Sequence, residues 1–184
     1  MKKFLYSIWE VVEVALIAGI AVFVIRNFLI QPFLVSGASM EPSFSSGDYL
    51  LINEISYQFH KPGRGEVIVF HYPGNRSTYY IKRIIGLPGE KIVVQDGKVF
   101  IFSKDNPDGF ELKENYLSIG ALTLVSEQNV FNLGENEYFV MGDNRGYSFD
   151  SRNWGNLKES DIVGSVQLRL WPFNRVMAFE KPAY

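Results

Sequence analysis

From Pro32 onward the chain is interrupted at short intervals by Gly, Pro and Asp, and no long amphipathic helical pattern survives between the interruptions. Such punctuation leaves room for short strands but not for long helices. Segments rich in β-branched and aromatic residues fall at 29–35, 49–53, 67–72, 78–85, 91–94, 98–102, 138–141 and 162–171. Gln95-Asp96-Gly97-Lys98 reads as a tight hairpin, because Asp-Gly supplies two positive φ angles. These features predict a mainly β fold of short, mostly antiparallel strands. Around 103–137 the pattern is weaker. Lys104-Asp105-Asn106-Pro107-Asp108-Gly109 reads as a turn, and 122–125 as a strand of a peripheral β-ribbon.

The N-terminal segment has the opposite character. Residues 14–25 form an unbroken apolar or small run, roughly 18 Å long as a helix. Extension back through Val12, Val11, Trp9, Ile8, Leu5 and Phe4 brings it to the length of a bilayer core. That extension takes in Glu10 and Glu13, which lie three apart and so share a helix face. Trp9 and Tyr6 suit a membrane interface, and Lys2 and Lys3 suit a cytoplasmic end. A cleavable leader would be followed by a small-x-small pattern. Here Arg26-Asn27-Phe28-Leu29-Ile30-Gln31 follows instead. The expectation is one transmembrane helix within 1–28, with a cytoplasmic N-terminus, and a β-rich domain over 29–184 on the extracytoplasmic side.

The 184 residues, 47% of them hydrophobic, suffice for one globular domain plus this appendage. A net charge of −2 argues against a nucleic-acid partner, which calls for a clustered basic face. The absence of cysteine excludes thiol catalysis, disulfides and cysteine-ligated metals. His60 and His71 form no metal-ligand pattern. No metal and no cofactor is expected.

Three segments carry chemistry. The first is Ser36-Gly37-Ala38-Ser39-Met40-Glu41-Pro42, where small residues permit close approach of another backbone. The second is Tyr80-Ile81-Lys82-Arg83-Ile84-Ile85-Gly86-Leu87-Pro88-Gly89-Glu90. The third is Gly142-Asp143-Asn144-Arg145-Gly146-Tyr147-Ser148-Phe149-Asp150-Ser151-Arg152. A serine hydroxyl needs a base before it attacks. His60 lies in a Lys-Pro-Gly loop and His71 ends a strand before Tyr72-Pro73-Gly74, so neither has the setting of that base. A lysine serves only when desolvation lowers its pKa. Strand alternation puts Tyr80, Lys82 and Ile84 on one face, which flanks Lys82 with apolar neighbours.

In this order, behind an apolar N-terminal segment, the three strings resemble those of type I signal peptidases of the peptidase S26 family, in the short Gram-positive-type form. The resemblance covers nearly the whole chain. It implies a partly open, barrel-like catalytic domain of a membrane-bound serine protease. By resemblance Ser39 is the nucleophile, Lys82 the general base, and the Ser39 backbone N–H an oxyanion donor. Ser148 corresponds to a hydroxyl that orients the lysine amine, and Asp150 and Arg152 to a supporting ion pair. The implied partners are secretory preproteins, cut after small residues, and the lipid bilayer, against which Phe33, Phe44, Trp171 and Phe173 would rest. Many relatives carry a serine two positions before the nucleophile; Gly37 stands here, so the second oxyanion donor is open. Ser43 replaces the usual threonine. Asp143 and Asn144 read as turn residues, and Gly47-Asp48 as a structural box. Two other functions fit parts of the pattern. One is a self-cleaving Ser-Lys protease, which needs a DNA-binding domain. The other is a catalytically inactive, membrane-anchored β-module that binds exported proteins.

Overall fold

A computed structural model of the chain describes residues 2–24, 30–125, 128–179 and 182. It contains helix α1 (Lys2–Val24) and strands β1 (Ile30–Leu34), β2 (Tyr49–Asn53), β3 (Val67–Tyr72), β4 (Asn75–Gly86), β5 (Lys91–Gln95) and β6 (Lys98–Phe102). These are followed by β7 (Phe110–Glu111), β8 (Val130–Asn132), β9 (Glu137–Met141), the one-turn helix α2 (Ser151–Trp154), β10 (Leu157–Lys158), β11 (Ile162–Trp171) and β12 (Met177–Ala178).

The strands form two sheets, and every pairing is antiparallel. The larger runs β1-β2-β11-β3-β4-β9-β10, with β12 beside β11; the smaller runs β7-β6-β5-β8. The fold is mainly β and antiparallel, as expected, and not a closed barrel: neither sheet closes on itself, and β1 and β10 are the edges of the larger one. Strands β2, β5 and β6 bury alternate residues, among them Leu50, Ile52, Ile92, Val94, Val99 and Ile101. This is the period-two pattern of strands with one face on a core. Ile85, Phe139 and Met141 of the large sheet join Ile92, Ile101 and Phe131 of the small one in a single apolar cluster. The sheets therefore lie against each other at the C-terminal end of β4.

The hairpin between β5 and β6 turns on Asp96 (φ 53°) and Gly97 (φ 77°), the two positive angles of the expected turn. The peripheral ribbon is centred on this hairpin, and the 103–137 region adds only its short flanking strands β7 and β8. Residues 122–125 are not a strand. Thr123 is held instead by its backbone N–H on the Gly97 carbonyl at 2.9 Å, while the Leu122 side chain covers Gly97. Local turn packing replaces the ladder that their apolar character suggested.

Helix α1 forms where the apolar run predicted a helix, and its described residues from Ile8 to Ala21 are all exposed. Among the described residues, however, no helix is long and apolar enough to cross a membrane. The expectation of a spanning helix is corrected accordingly. Lys2, Lys3, Glu10 and Glu13 occupy its first half, and the charge-free part at 14–24 is about 16 Å long against a hydrocarbon core of about 30 Å. The boundary expected at 28 and 29 lies outside the described residues.

Ile101, fully buried on β6, tests the shared core. Ile101→Ala is expected to lower unfolding stability by about 2–5 kcal/mol, read from the midpoint of urea denaturation. A loss below about 1 kcal/mol, the range of a surface change, would mean that the small sheet is not part of the cooperative core.

Candidate active site

Ser39 sits in the loop that joins β1 to β2. That loop is closed at its base by backbone hydrogen bonds from Val35 N–H to the Asp48 carbonyl and from Gly47 N–H to the Val35 carbonyl, both 2.9 Å. Its interior is pinned by Met40 and Phe44, both essentially fully buried beside Leu50 and Val166. Two large apolar side chains on a small-residue loop fix its position as a strand would. The Gly47-Asp48 box serves the same end. Asp48 accepts from the Ser45 N–H at 2.9 Å and lies 3.1 Å from the Arg169 guanidinium, which also donates to the Ser43 carbonyl.

Lys82 lies on β4, between β3 and the nucleophile loop, and is 4% exposed. Its Nζ donates to Ser39 Oγ at 2.8 Å and to the Ile81 carbonyl at 2.9 Å, and stands 5.3 Å from the Tyr80 ring centre. Burial lowers its pKa from 10.5 to about 8, with the Asp150 and Asp143 charges pulling weakly the other way. Each of those carboxylates is itself matched by an arginine. Asp150 takes both arms of Arg152, each at 2.8 Å. Asp143 takes both arms of Arg83, at 2.8 and 2.6 Å. Desolvation therefore outweighs attraction, and the amine is poised to be neutral slightly above neutral pH.

The third segment, 142–152, wraps the pair. Asp150 is fully buried, accepts from the Gly142 N–H at 3.0 Å and caps α2 together with Asn153. Arg152 reaches on to the Arg145 and Leu124 carbonyls at 2.8 and 3.1 Å. Ser148 packs over Gly142, and its buried Oγ has no hydrogen-bond partner among the described residues. A Cβ on Gly142 would run into the Ser148 hydroxyl and the Ser39 carbonyl oxygen. Only glycine lets the segment lie this close.

The structure thus brings Ser39 and Lys82 into contact and sets Ser148, Asp150 and Arg152 around them, with no hydrogen bond from Ser148 to the amine. Two residues have larger places than a turn reading gives them. Asp143 is the buried partner of Arg83, which also donates to the Gly65 carbonyl at 2.8 Å. Asn144 donates from its backbone to the Ser39 carbonyl and from its side chain to the Ala38 carbonyl, both at 3.0 Å. The first connection spans 60 residues and the Asn144 side-chain contact 106, so no local signal reveals them. The histidines are elsewhere. His60 is exposed near its own loop carbonyl at Lys61, and His71 bonds the Arg76 carbonyl at 2.6 Å.

A cleft of about 330 Å³ opens at Ser39 and Lys82. Val35, Leu50 and Val69 line it as buried apolar side chains, and Tyr79, Tyr147 and Phe149 as exposed ones. Phe33 and Tyr79 meet edge to face across it at 5.5 Å. Strand β4 pairs with β9 only from Arg83 onward, so its residues 75–82 present an unpaired edge beside Ser39. Among the described residues no cluster of acidic, histidine or cysteine side chains is suited to hold a metal ion.

The Lys82 environment sets a pH test. A lysine with a lowered pKa binds fewer protons folded than unfolded, so it opposes folding below about 8, and stability recovers as pH rises from there to 10.5. The shift corresponds to on the order of 3 kcal/mol. Lys82→Met is therefore expected to be at least as stable as the wild type at pH 7, by urea denaturation. Strong destabilisation would instead make Lys82 a charged structural partner.

The chain matches the family model described as "Signal peptidase, peptidase S26" over residues 8–171. It is 35% identical over 173 residues to signal peptidase I P of Bacillus subtilis subsp. natto, covering 92% of each chain. It is 32% identical to signal peptidase IB of Staphylococcus aureus over 95% of this chain and 93% of that one. A probable signal peptidase I-2 of Synechocystis is 36% identical over 83% of this chain and 68% of its own length. With a family match over most of its length, and relatives this similar from end to end, the chain belongs to the peptidase S26 family of signal peptidases.

Proposed function

We propose that this protein is a membrane-bound serine endopeptidase that removes N-terminal signal peptides from secreted preproteins, with Ser39 as nucleophile and Lys82 as general base. The observation that carries this reading is the 2.8 Å contact between a buried Lys82 Nζ and Ser39 Oγ. Neutral Nζ takes the hydroxyl proton as Oγ attacks the scissile carbonyl carbon, and the carbonyl π electrons move onto its oxygen. The Ser39 N–H, which makes no hydrogen bond among the described residues, stabilises that oxyanion. Collapse breaks the C–N bond, and the proton on Nζ passes to the leaving amine. Water then attacks the acyl-enzyme, giving its proton to Nζ, and Ser39 recovers a proton as the acid product leaves. Ser148, with a buried hydroxyl that has no hydrogen-bond partner among the described residues, is the group we assign to steady Nζ while the Ser39 bond is broken. Asp150 and Arg152 hold the Ser148 segment in place.

The substrate lies extended along the unpaired 75–82 edge of β4, where main-chain hydrogen bonds hold it and alternate side chains enter the cleft. The apolar floor at Val35, Leu50 and Val69 receives the small residues before the cut. Residues 1–28 attach the enzyme to the bilayer. Residues 29–184 form the catalytic domain on the outer side. Support comes from the exposed apolar surface of α1 and from exposed Trp171 and Phe173 near the end of the sheet.

Two experiments test this reading. In a preprotein cleavage assay Ser39→Ala and Lys82→Ala are each expected to lose at least about a thousandfold of kcat/KM, while His60→Ala and His71→Ala keep most of it. The wild-type rate should rise with pH to a plateau above about 8. Turnover by Ser39→Ala would end the proposal. For attachment, protease added outside intact protoplasts should digest the 29–184 portion; protection would place it on the other side.

A further inference from the structure

The two carbonyls that Asn144 grips are not equivalent in what they control. The Ala38 carbonyl and the Ser39 N–H belong to one peptide unit. That unit is planar and trans, so its C=O and N–H point in opposite directions. Whatever fixes the Ala38 oxygen also fixes the line along which the Ser39 N–H points. The Asn144 side-chain amide donates to that oxygen at 3.0 Å, on the side of the peptide opposite the N–H. The only other hydrogen bond to it among the described residues is a longer one, 3.2 Å, from the Glu41 N–H within the same loop. The Asn144 backbone N–H meanwhile holds the next carbonyl, that of Ser39, at 3.0 Å. The Ser39 peptide is thus clamped on both flanks by one residue that is neither in the loop nor in the cleft floor. Asn144 is itself held, since its carbonyl accepts from the Tyr147 N–H at 3.0 Å and its neighbour Asp143 is locked to Arg83. The Gly37 N–H, two positions before Ser39, is turned to Ser46 Oγ at 3.4 Å. A site with Gly37 in place of a hydroxyl depends more heavily on the aim of its one free donor.

We propose that Asn144 is a positioning residue that aims the Ser39 N–H at the oxyanion formed during cleavage. This rests on Ser39 being the nucleophile. Removal of an oxyanion donor costs about 10²–10³ in kcat, and misdirecting one costs part of that. Asn144→Leu removes the amide at similar size, and Asn144→Asp keeps the shape but replaces the donor by an acceptor. Both leave the backbone bond to the Ser39 carbonyl in place.

The test measures kcat and KM on a preprotein, together with inhibition by a peptide aldehyde and by the matching peptide alcohol. The aldehyde forms a hemiacetal with Ser39, whose oxygen occupies the oxyanion position; the alcohol does not. Both variants are expected to lose about 10- to 100-fold in kcat with KM within about threefold. Aldehyde inhibition should weaken by a similar factor and alcohol inhibition should not change. The midpoint of the rising pH limb should stay where Lys82 puts it, and thermal melting should confirm the fold. Wild-type kcat in both variants, or equal weakening by aldehyde and alcohol, would overturn the proposal. Ser39→Ala, run in the same assay, separates the two claims. If it still cleaves, the nucleophile assignment fails; if it is inactive while the Asn144 variants cleave normally, only the positioning role fails.

Discussion

A lysine amine held out of water against a serine hydroxyl is the interaction around which the rest of this molecule is arranged. Burying an ammonium without a counter-charge is costly, and the fold meets that cost by making the neutral form accessible instead of supplying a carboxylate partner. Asp143 and Asp150 are close enough to influence Lys82, yet each is saturated by its own arginine. Either carboxylate left unpaired would hold the amine charged and remove its basicity. The two buried ion pairs are therefore better understood through what they keep away from Lys82 than through any stability they add.

The contact is assembled from three distant stretches of chain. Ser39 and Lys82 are 43 residues apart, and Asn144 lies 106 from the Ala38 carbonyl it holds. Antiparallel sheet makes such an arrangement reproducible, because register fixes each side chain to one face and one level. Strand β4 does most of this. Arg83 pairs with both β3 and β9, while the residues before it pair with β3 only. Lys82 stands at the changeover, so the residue that needs rigidity adjoins the edge that must stay open for a substrate.

Much of the strand pattern was legible, because β-branched and aromatic runs bounded by Gly, Pro and Asp, and Asp-Gly turns, are local properties. β2, β3, β6 and β11 fall where those runs put them, and β4 is extended at both ends. The failures have the same origin in reverse. Residues 122–125 look like a strand in composition but are committed to covering Gly97, a contact that only the folded hairpin creates. The helix at the N-terminus is apolar enough to be noticed, but the charges at its start shorten its apolar length. At the site, residue identity in three short strings pointed to Ser39 and Lys82. The parts played by Asp143 and Asn144 were hidden, since Asp-Asn after a glycine is also ordinary turn chemistry. Their partners, Arg83 and the Ala38 and Ser39 carbonyls, are distant in sequence.

The claim on which the account stands is that the Lys82 amine titrates well below an ordinary lysine. Titration of that amine by NMR, with lysine labelled at Cε and the Lys82 signal assigned by its loss in Lys82→Met, measures this without reference to turnover. A midpoint near 8 is predicted for Lys82 in the folded protein, well below the ordinary lysine value of about 10.4. A Lys82 midpoint at or above that ordinary value would contradict it, since a permanently charged amine could not accept the Ser39 proton.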